Sequence, residues 1–255
     1  MPSSLDPDEH VKPYVHETLT TKALHFTLGE VQSRMALQDP DALELDYTRT
    51  MMAFLRFHAA PKHLVMIGLG GGSLAKFCHR HLPGLRLQVV EINPHVLALR
   101  DSFHVPPDSA RFEVILGDGA RFVRDTRERP DVLLVDGFTS EGQPSRLSSQ
   151  RFYDDCHDCL ASDGLLVLNL HTGHRQFAQQ LARVQRCFGA AVLPVQDRAG
   201  SNTIVFASKG PAIEKARPAT WRRPKLLSAA AAQPLVSAFA QVNRALAERH
   251  LGLGA

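Results

Sequence analysis

The segment Met66-Ile-Gly-Leu-Gly-Gly-Gly-Ser73 places glycines at 68, 70 and 72 between an apolar run and a helical pattern. Glycines at such a turn let the chain bend sharply and let a ligand approach main-chain atoms. The helix that follows offers free N–H groups at its start. Ser73 stands where the third glycine of G-x-G-x-x-G would fall. Gly68, Gly70 and Gly72 therefore suit a nucleoside without phosphates at least as well as a dinucleotide, with a bare tight turn as the competing reading. Glu91 closes the next apolar run, in Val89-Val-Glu-Ile-Asn-Pro94. Its two oxygens can accept from both ribose hydroxyls, with Ile92 beside it in the same candidate site, and its charge disfavours a 2′-phosphate. Asp118 and Gly119, in Leu116-Gly-Asp-Gly119, follow the third run. Asp118 can accept from an adenine amine while Gly119 lets the base lie against backbone, and Asp118 equally suits an N-cap. Asp136 ends the fourth run and precedes a glycine-rich polar stretch to Pro144. A carboxylate there can orient an amine nucleophile and take its proton.

The elements that must position these residues are short apolar runs alternating with helical segments over residues 61–208. The runs are His63–Ile67, Leu87–Glu91, Phe112–Leu116, Val132–Asp136, Leu165–Leu170, Ala190–Val195 and Thr203–Ala207. Nearly continuous apolar runs are expected of parallel strands covered on both faces. Helices are expected at Ser73–His81, Pro94–Arg100, Gly119–Asp125, Ser149–Leu160 and His174–Cys187. This alternation implies an α/β doubly wound sheet. The connection Asp197–Asn202 is too short for a crossover helix, so the seventh strand should run antiparallel. Seven strands with the last reversed is the class I methyltransferase-like Rossmann layout. Residues 1–60 read as a small N-terminal β region, with strand material over Tyr14–Thr27, and a linking helix over Leu43–Phe57. Residues 209–255 read as a basic linker and a C-terminal helix opened by Pro234, with Leu235, Phe239, Val242 and Leu246 on one stripe that docks on the domain or a partner subunit.

Lys plus Arg number 29 and Asp plus Glu 26. That near balance argues against a dedicated nucleic-acid binder, which concentrates basic charge. The first eight residues are polar and hold two prolines, unlike a signal peptide, and no apolar stretch reaches membrane-spanning length. The default is a cytoplasmic protein. The Cys156-x-x-Cys159 spacing lacks a second pair for zinc, so structural thiols are expected and no metal is assigned. His171 and His174 are better read as surface or capping residues than as ligands, although Asn169 and His171 end the fifth strand and either can line the ligand mouth.

Together these residues resemble the spermidine synthase (polyamine aminopropyltransferase) family over roughly residues 15–208. Gly29-Glu-Val-Gln32 is similar to its G-x-x-Q, and Glu44-Leu-Asp-Tyr47 to its E-x-x-Y. Phe152-Tyr153 and Asp163-Gly-Leu-Leu-Val167 match its later motifs. The resemblance implies nucleoside contacts at Gln32 and Tyr47, a ribose acid at Glu91, adenine binding at Asp118-Gly119 and a catalytic Asp136. It also implies decarboxylated S-adenosylmethionine as donor, a small amine as acceptor and a homodimer. Three departures stand out. The family's G-G-G-D-G-G puts an acid where this chain has Gly71. Its D-S-x-D-P-x-G-P puts a second acid near Thr139, with only Glu141 close by. Its late Tyr-Pro is replaced by Ala199-Gly-Ser-Asn202. The nucleoside half is well kept and the polyamine half poorly kept, and the chain most resembles the spermidine synthase-like proteins of bacteria. Aminopropyl transfer, methylation of a small acceptor by S-adenosylmethionine, and a non-catalytic nucleoside-binding module are the three readings carried forward.

Overall fold

The computed structural model describes residues 7–27, 31–138, 142–220 and 222–252. Gly29, Glu30, Thr139 and Glu141 of the motifs above lie outside the described residues.

Strands β1 (Tyr14–Glu17), β2 (Thr21–His25) and β3 (Val31–Ala36) form a small antiparallel sheet in that order. Helix α1 (Asp46–Met52) then leads by a 3-10 turn (Ala53–Arg56) into the main sheet. Its start is later than the expected Leu43 for a local reason. The Arg49 guanidinium occupies the carbonyls of Leu43 and Glu44, at 2.7 and 2.9 Å, that would otherwise begin the helical ladder.

The main sheet comprises β4 (His63–Ile67), β5 (Arg86–Glu91), β6 (Phe112–Leu116), β7 (Val132–Val135), β8 (Leu165–His171), β9 (Val192–Gln196) and β10 (Asn202–Ser208). Its order is β6-β5-β4-β7-β8-β10-β9. Strands β4 to β8 pair in parallel, and β10 is antiparallel to both neighbours. The last strand in the chain therefore inserts between β8 and β9. The helices are α2 (Ser73–His81), α3 (Pro94–Leu97), α4 (Gly119–Asp125), α5 (Gln150–Cys159) and α6 (Phe177–Phe188). Each strand and helix expected over residues 61–208 is present, with ends moved by up to three residues. The largest shortening among these is α3, where tighter bonds from Leu99 to Val96 and Arg100 to Leu97 replace the helical pattern.

The continuous apolar runs are explained by two cores, one on each face. Met66, Val89, Leu134 and Val167 point into one, and Ile67, Val90, Val135 and Leu168 into the other. The second core includes Cys156 and Cys159; burial pushes the Cys159 thiol up to about 12, as expected of a structural thiol. At the C-terminus, α7 (Ala229–Ala232) and α8 (Val236–His250) flank a 3-10 turn. Ser228 caps α7, so helix begins before Pro234. The stripe Leu235, Phe239, Val242 and Leu246 is buried in the first core, where α8 meets α1 and β9. No helix among the described residues is long and apolar enough to cross a membrane.

Candidate functional site

The strand order reverses direction at β4, with β5 on one side and β7 on the other. In open α/β sheets ligands settle at that switch point, beyond the carboxyl ends of the strands. A cavity of about 1030 Å³ lies there. It is larger than typical ligand pockets, so it has room for a nucleoside and a second substrate together.

The glycine turn after β4 forms one wall. Gly68 has φ +95°, and a Cβ on it would lie 2.3 Å from the Asp136 carbonyl oxygen, so only glycine lets β4 and β7 end side by side. Gly70 also faces the cavity, whereas Gly72 does not line it; its Cα faces Val105 and it begins α2. Gly71 has no space for a side chain, because a Cβ there would lie 2.6 Å from Ser33 Oγ and 2.9 Å from the Phe103 ring. The absence of an acid at this position is thus matched by the packing around it.

Glu91 and Ile92, at the end of β5, line the cavity. Glu91 is 7% exposed, and its carboxylate accepts the N–H groups of Leu69 and Asn93, each at 2.8 Å. Burial pushes its pKa up, and the backbone N–H groups oppose that rise. The N–H groups of Gly70 and Ile92 also act on it, so a ligand's hydroxyls would share its acceptor sites with the backbone.

Asp118 and Gly119 border the same space. Asp118 Oδ1 caps α4 by accepting from Ala120 and Arg121, while Oδ2 accepts from Arg146 at 2.7 Å. Burial pushes this carboxyl up, but Arg146 and the two N–H groups outweigh burial and hold it below its ordinary value. The N-cap reading is therefore realised, and Arg146 is a partner with no signal in the local sequence.

Asp136, directly after β7, sits in a polar chain. Tyr47, from α1, donates to its Oδ2 at 3.2 Å, and Asn169, from β8, donates to its Oδ1 at 2.8 Å. Asn202, on β10, donates to Asn169 Oδ1 at 2.8 Å and fixes which way that amide points. Burial pushes the Asp136 pKa up; the Asn169 and Tyr47 hydrogen bonds pull it back, and Glu91 adds a repulsive push upward. Tyr47 itself is held well above its ordinary pKa by burial first and by Asp136 second, so it stays a donor. Gln32 lines the cavity from β3, and its carbonyl lies 3.5 Å from the Tyr47 hydroxyl. Asn169 was legible as a strand end, whereas Asn202 was not, because its role depends on β10 inserting next to β8.

Residues 44–192 match the family model described as the spermine/spermidine synthase domain. The chain belongs to this family. A polyamine aminopropyltransferase of Neisseria meningitidis is 37% identical over 195 residues, covering 76% of this chain and 74% of its own. In fold, the chain is similar to a probable spermidine synthase from Corynebacterium glutamicum, with TM-score 0.68 and 20% identity over 89% of this chain and 82% of that one. It is also similar to human methyltransferase-like protein 13 in complex with SAH, with TM-score 0.61 and 23% identity over 78% and 93%. The family's core sheet is thus the methyltransferase-like sheet described above, and no cluster of three or more metal-ligating side chains occurs among the described residues.

Proposed function

We propose that the protein transfers an aminopropyl group from decarboxylated S-adenosylmethionine to a small amine. The observation that carries this reading is the placement of Asp136, held by Tyr47 and Asn169, in one cavity with Glu91 and the glycine turn. Family membership supports it.

The donor supplies a sulfonium whose neighbouring carbon is electrophilic and whose sulfur departs as a neutral thioether. Glu91 accepts from the ribose hydroxyls alongside its backbone N–H groups, and Gly68 and Gly70 let that sugar approach the main chain. Asp118 and Gly119 border the space for the base, where Arg146 must share or release Oδ2. Gln32 and Tyr47 close the site from the N-terminal side. Asp136 orients the acceptor so that its nitrogen lone pair points at the carbon. As the N–C bond forms, the C–S bond breaks and its electron pair goes to sulfur. The proton lost from nitrogen passes to Asp136, whose raised pKa suits it to that task. Asn169 and Tyr47 keep the carboxylate fixed, and positioning supplies most of the acceleration because the leaving group is already activated.

Asp136→Asn removes the proton acceptor and keeps the shape. It should lower kcat by about 10²–10⁴-fold, the usual range for a general base. Binding of methylthioadenosine, read by calorimetry, should change little. Full activity in this variant would remove Asp136 from the mechanism. Thermal shifts with the decarboxylated donor and with ordinary S-adenosylmethionine discriminate aminopropyl from methyl transfer, and methylated product from the ordinary donor would replace this reading. The same reading carries a cytoplasmic homodimer; sedimentation showing only a 28.1 kDa species would remove the dimer.

A further inference from the structure

Asp197 is an acid of the cavity that the transfer reading leaves without a role. It follows β9 and opens the turn to β10, where Ala199-Gly-Ser-Asn202 stands in place of the family's Tyr-Pro. It lies beyond residues 44–192, which match the family model. It is 5% exposed and lines the cavity with Ala199, Ser201 and Asn202. Its Oδ1 accepts the Asn202 N–H at 3.1 Å and closes the turn. Burial pushes its pKa up, the N–H groups of the turn pull it back, and the charge of Asp46 adds a push upward. No cation is among the groups that act on it, and Asp46 is already paired with Arg49 at 2.6 Å. Backbone N–H groups satisfy hydrogen bonds but bring no net charge, so Asp197 is a buried carboxylate that lacks a counter-ion.

Its place in the sheet decides which substrate it meets. Glu91 and Asp118 follow β5 and β6, on one side of Asp136, while Asp197 lies on the other side, beside β10. A polar row joins it to Asp136. Asn169 donates to Asp136 and Asn202 to Asn169, each at 2.8 Å, and the Asn202 N–H donates to Asp197. Two strand steps separate β7 from β10, and neighbouring strands lie about 4.8 Å apart, so the row spans on the order of 10 Å. An ammonium hydrogen bond of about 2.8 Å at each end leaves room for a short carbon chain between two charged nitrogens. The nucleoside, in the transfer reading, lies over β4, β5 and β6, so the group that Asp197 faces belongs to the acceptor.

We propose that Asp197 is the specificity-determining residue for the acceptor: it holds the distal ammonium while the reacting nitrogen sits at Asp136. This rests on the aminopropyl-transfer reading. It moves the acceptor's second anchor to the β9–β10 turn, in a chain that has Gly71 and Thr139 where the family places acids. An ammonium group leaving water needs a carboxylate to offset its desolvation, and an amine without a distal charge would leave Asp197 buried and unpaired.

The test uses the full-length protein and decarboxylated donor, with methylthioadenosine release as the readout. A linear diamine and a monoamine of equal chain length are compared by kcat/KM. Asp197→Asn removes the charge and keeps the turn, because the Asn side-chain carbonyl can accept the same Asn202 N–H. It should lower kcat/KM for the diamine by about 10²-fold or more, mostly through KM, and leave the monoamine within about twofold. Its melting temperature and its donor binding, read by calorimetry, should match wild type. A wild type that turns over the monoamine as well as the diamine overturns the proposal. An Asp197→Asn variant that loses both amines alike, or donor binding with them, makes Asp197 a turn residue only and overturns it too. So does selectivity that is lost in Glu44→Gln and kept in Asp197→Asn. Failure of wild type to bind the donor, or to turn over either amine, would instead remove the transfer reading.

Discussion

At Asp136 the proposed chemistry and the stability of the fold oppose each other. Burial raises its pKa, so the unfolded carboxyl ionises before the folded one does. Folding stability therefore falls as pH rises from the ordinary carboxylate value through the raised one, and the cost is fully present above it. Asp136→Asn should accordingly raise the melting temperature at neutral pH, by on the order of 2–4 °C for each kcal/mol relieved, while slowing the proposed transfer. A lower melting temperature would mean that the hydrogen bonds from Tyr47 and Asn169 outweigh burial. Asn169 acts in the opposite sense, since its bond favours the charged carboxylate. Asn169→Leu should push the Asp136 pKa further up and move the acid limb of the kcat/KM profile to higher pH. An unmoved limb would show that Asn169 positions without tuning. Neither effect could be read from the sequence, because residues 136, 169 and 202 meet only through strand pairing.

At the scale of elements, the turn between β4 and α2 is braced by a buried lysine. Lys76, on α2, is fully buried, and its ammonium donates to the Phe103 carbonyl at 2.8 Å. Phe103 and Val105 in turn pack against Gly71 and Gly72. Burial lowers the Lys76 pKa from 10.5 to about 8, partly countered by Asp41. Between those values the unfolded chain holds a proton that the folded chain lacks, so this group makes stability rise with pH. The full rise amounts to about 3 kcal/mol at 1.36 kcal/mol per pKa unit. Denaturant melts of wild type and Lys76→Met from pH 7.5 to 10.5 should show their difference shifting in favour of wild type as pH rises. A constant difference would contradict the burial argument. Gly68→Ala probes the other end of the turn. A side chain at φ +95° and 2.3 Å from the Asp136 carbonyl must push β4 and β7 apart, and should cost about 1–3 kcal/mol together with most donor binding. Wild-type donor affinity in that variant would show that the turn can yield without disturbing the site.

For the whole molecule, residues 1–60, 61–208 and 209–255 are proposed as three units of sequence that melt together. The C-terminal stripe packs into the core of the main sheet, and burying each of its four side chains stabilises the fold by about 1.5–3 kcal/mol. Their combined contribution is comparable to the whole stability of a typical domain, about 5–15 kcal/mol. Removal of residues 229–252 should therefore leave an insoluble or unfolded protein, judged by loss of the cooperative transition in calorimetry. A truncated chain that melts at the wild-type temperature would show the helix to be an accessory.

The sequence alone determined the sheet's strands, the helices between them and the glycine turn and strand-end acids that line one cavity. Continuous apolar runs, the glycine turn, and acids placed at strand ends are local signals, and in this fold strand ends converge on one edge. The stripe of α8 was legible for the same reason, since helical periodicity is written into consecutive residues. What only the tertiary structure decided is how residues distant in sequence complete one another. Arg146 reaches Asp118, Asn202 orients Asn169, and Ser33 with Phe103 fills the space at Gly71. Gln180 reads in sequence as a polar interruption of an apolar stripe, and becomes a buried amide facing a cavity only once α6 lies on the sheet. Periodicity fixes which face a residue occupies, but hydrogen bonds and charge pairs form across elements, and their partners are chosen by packing.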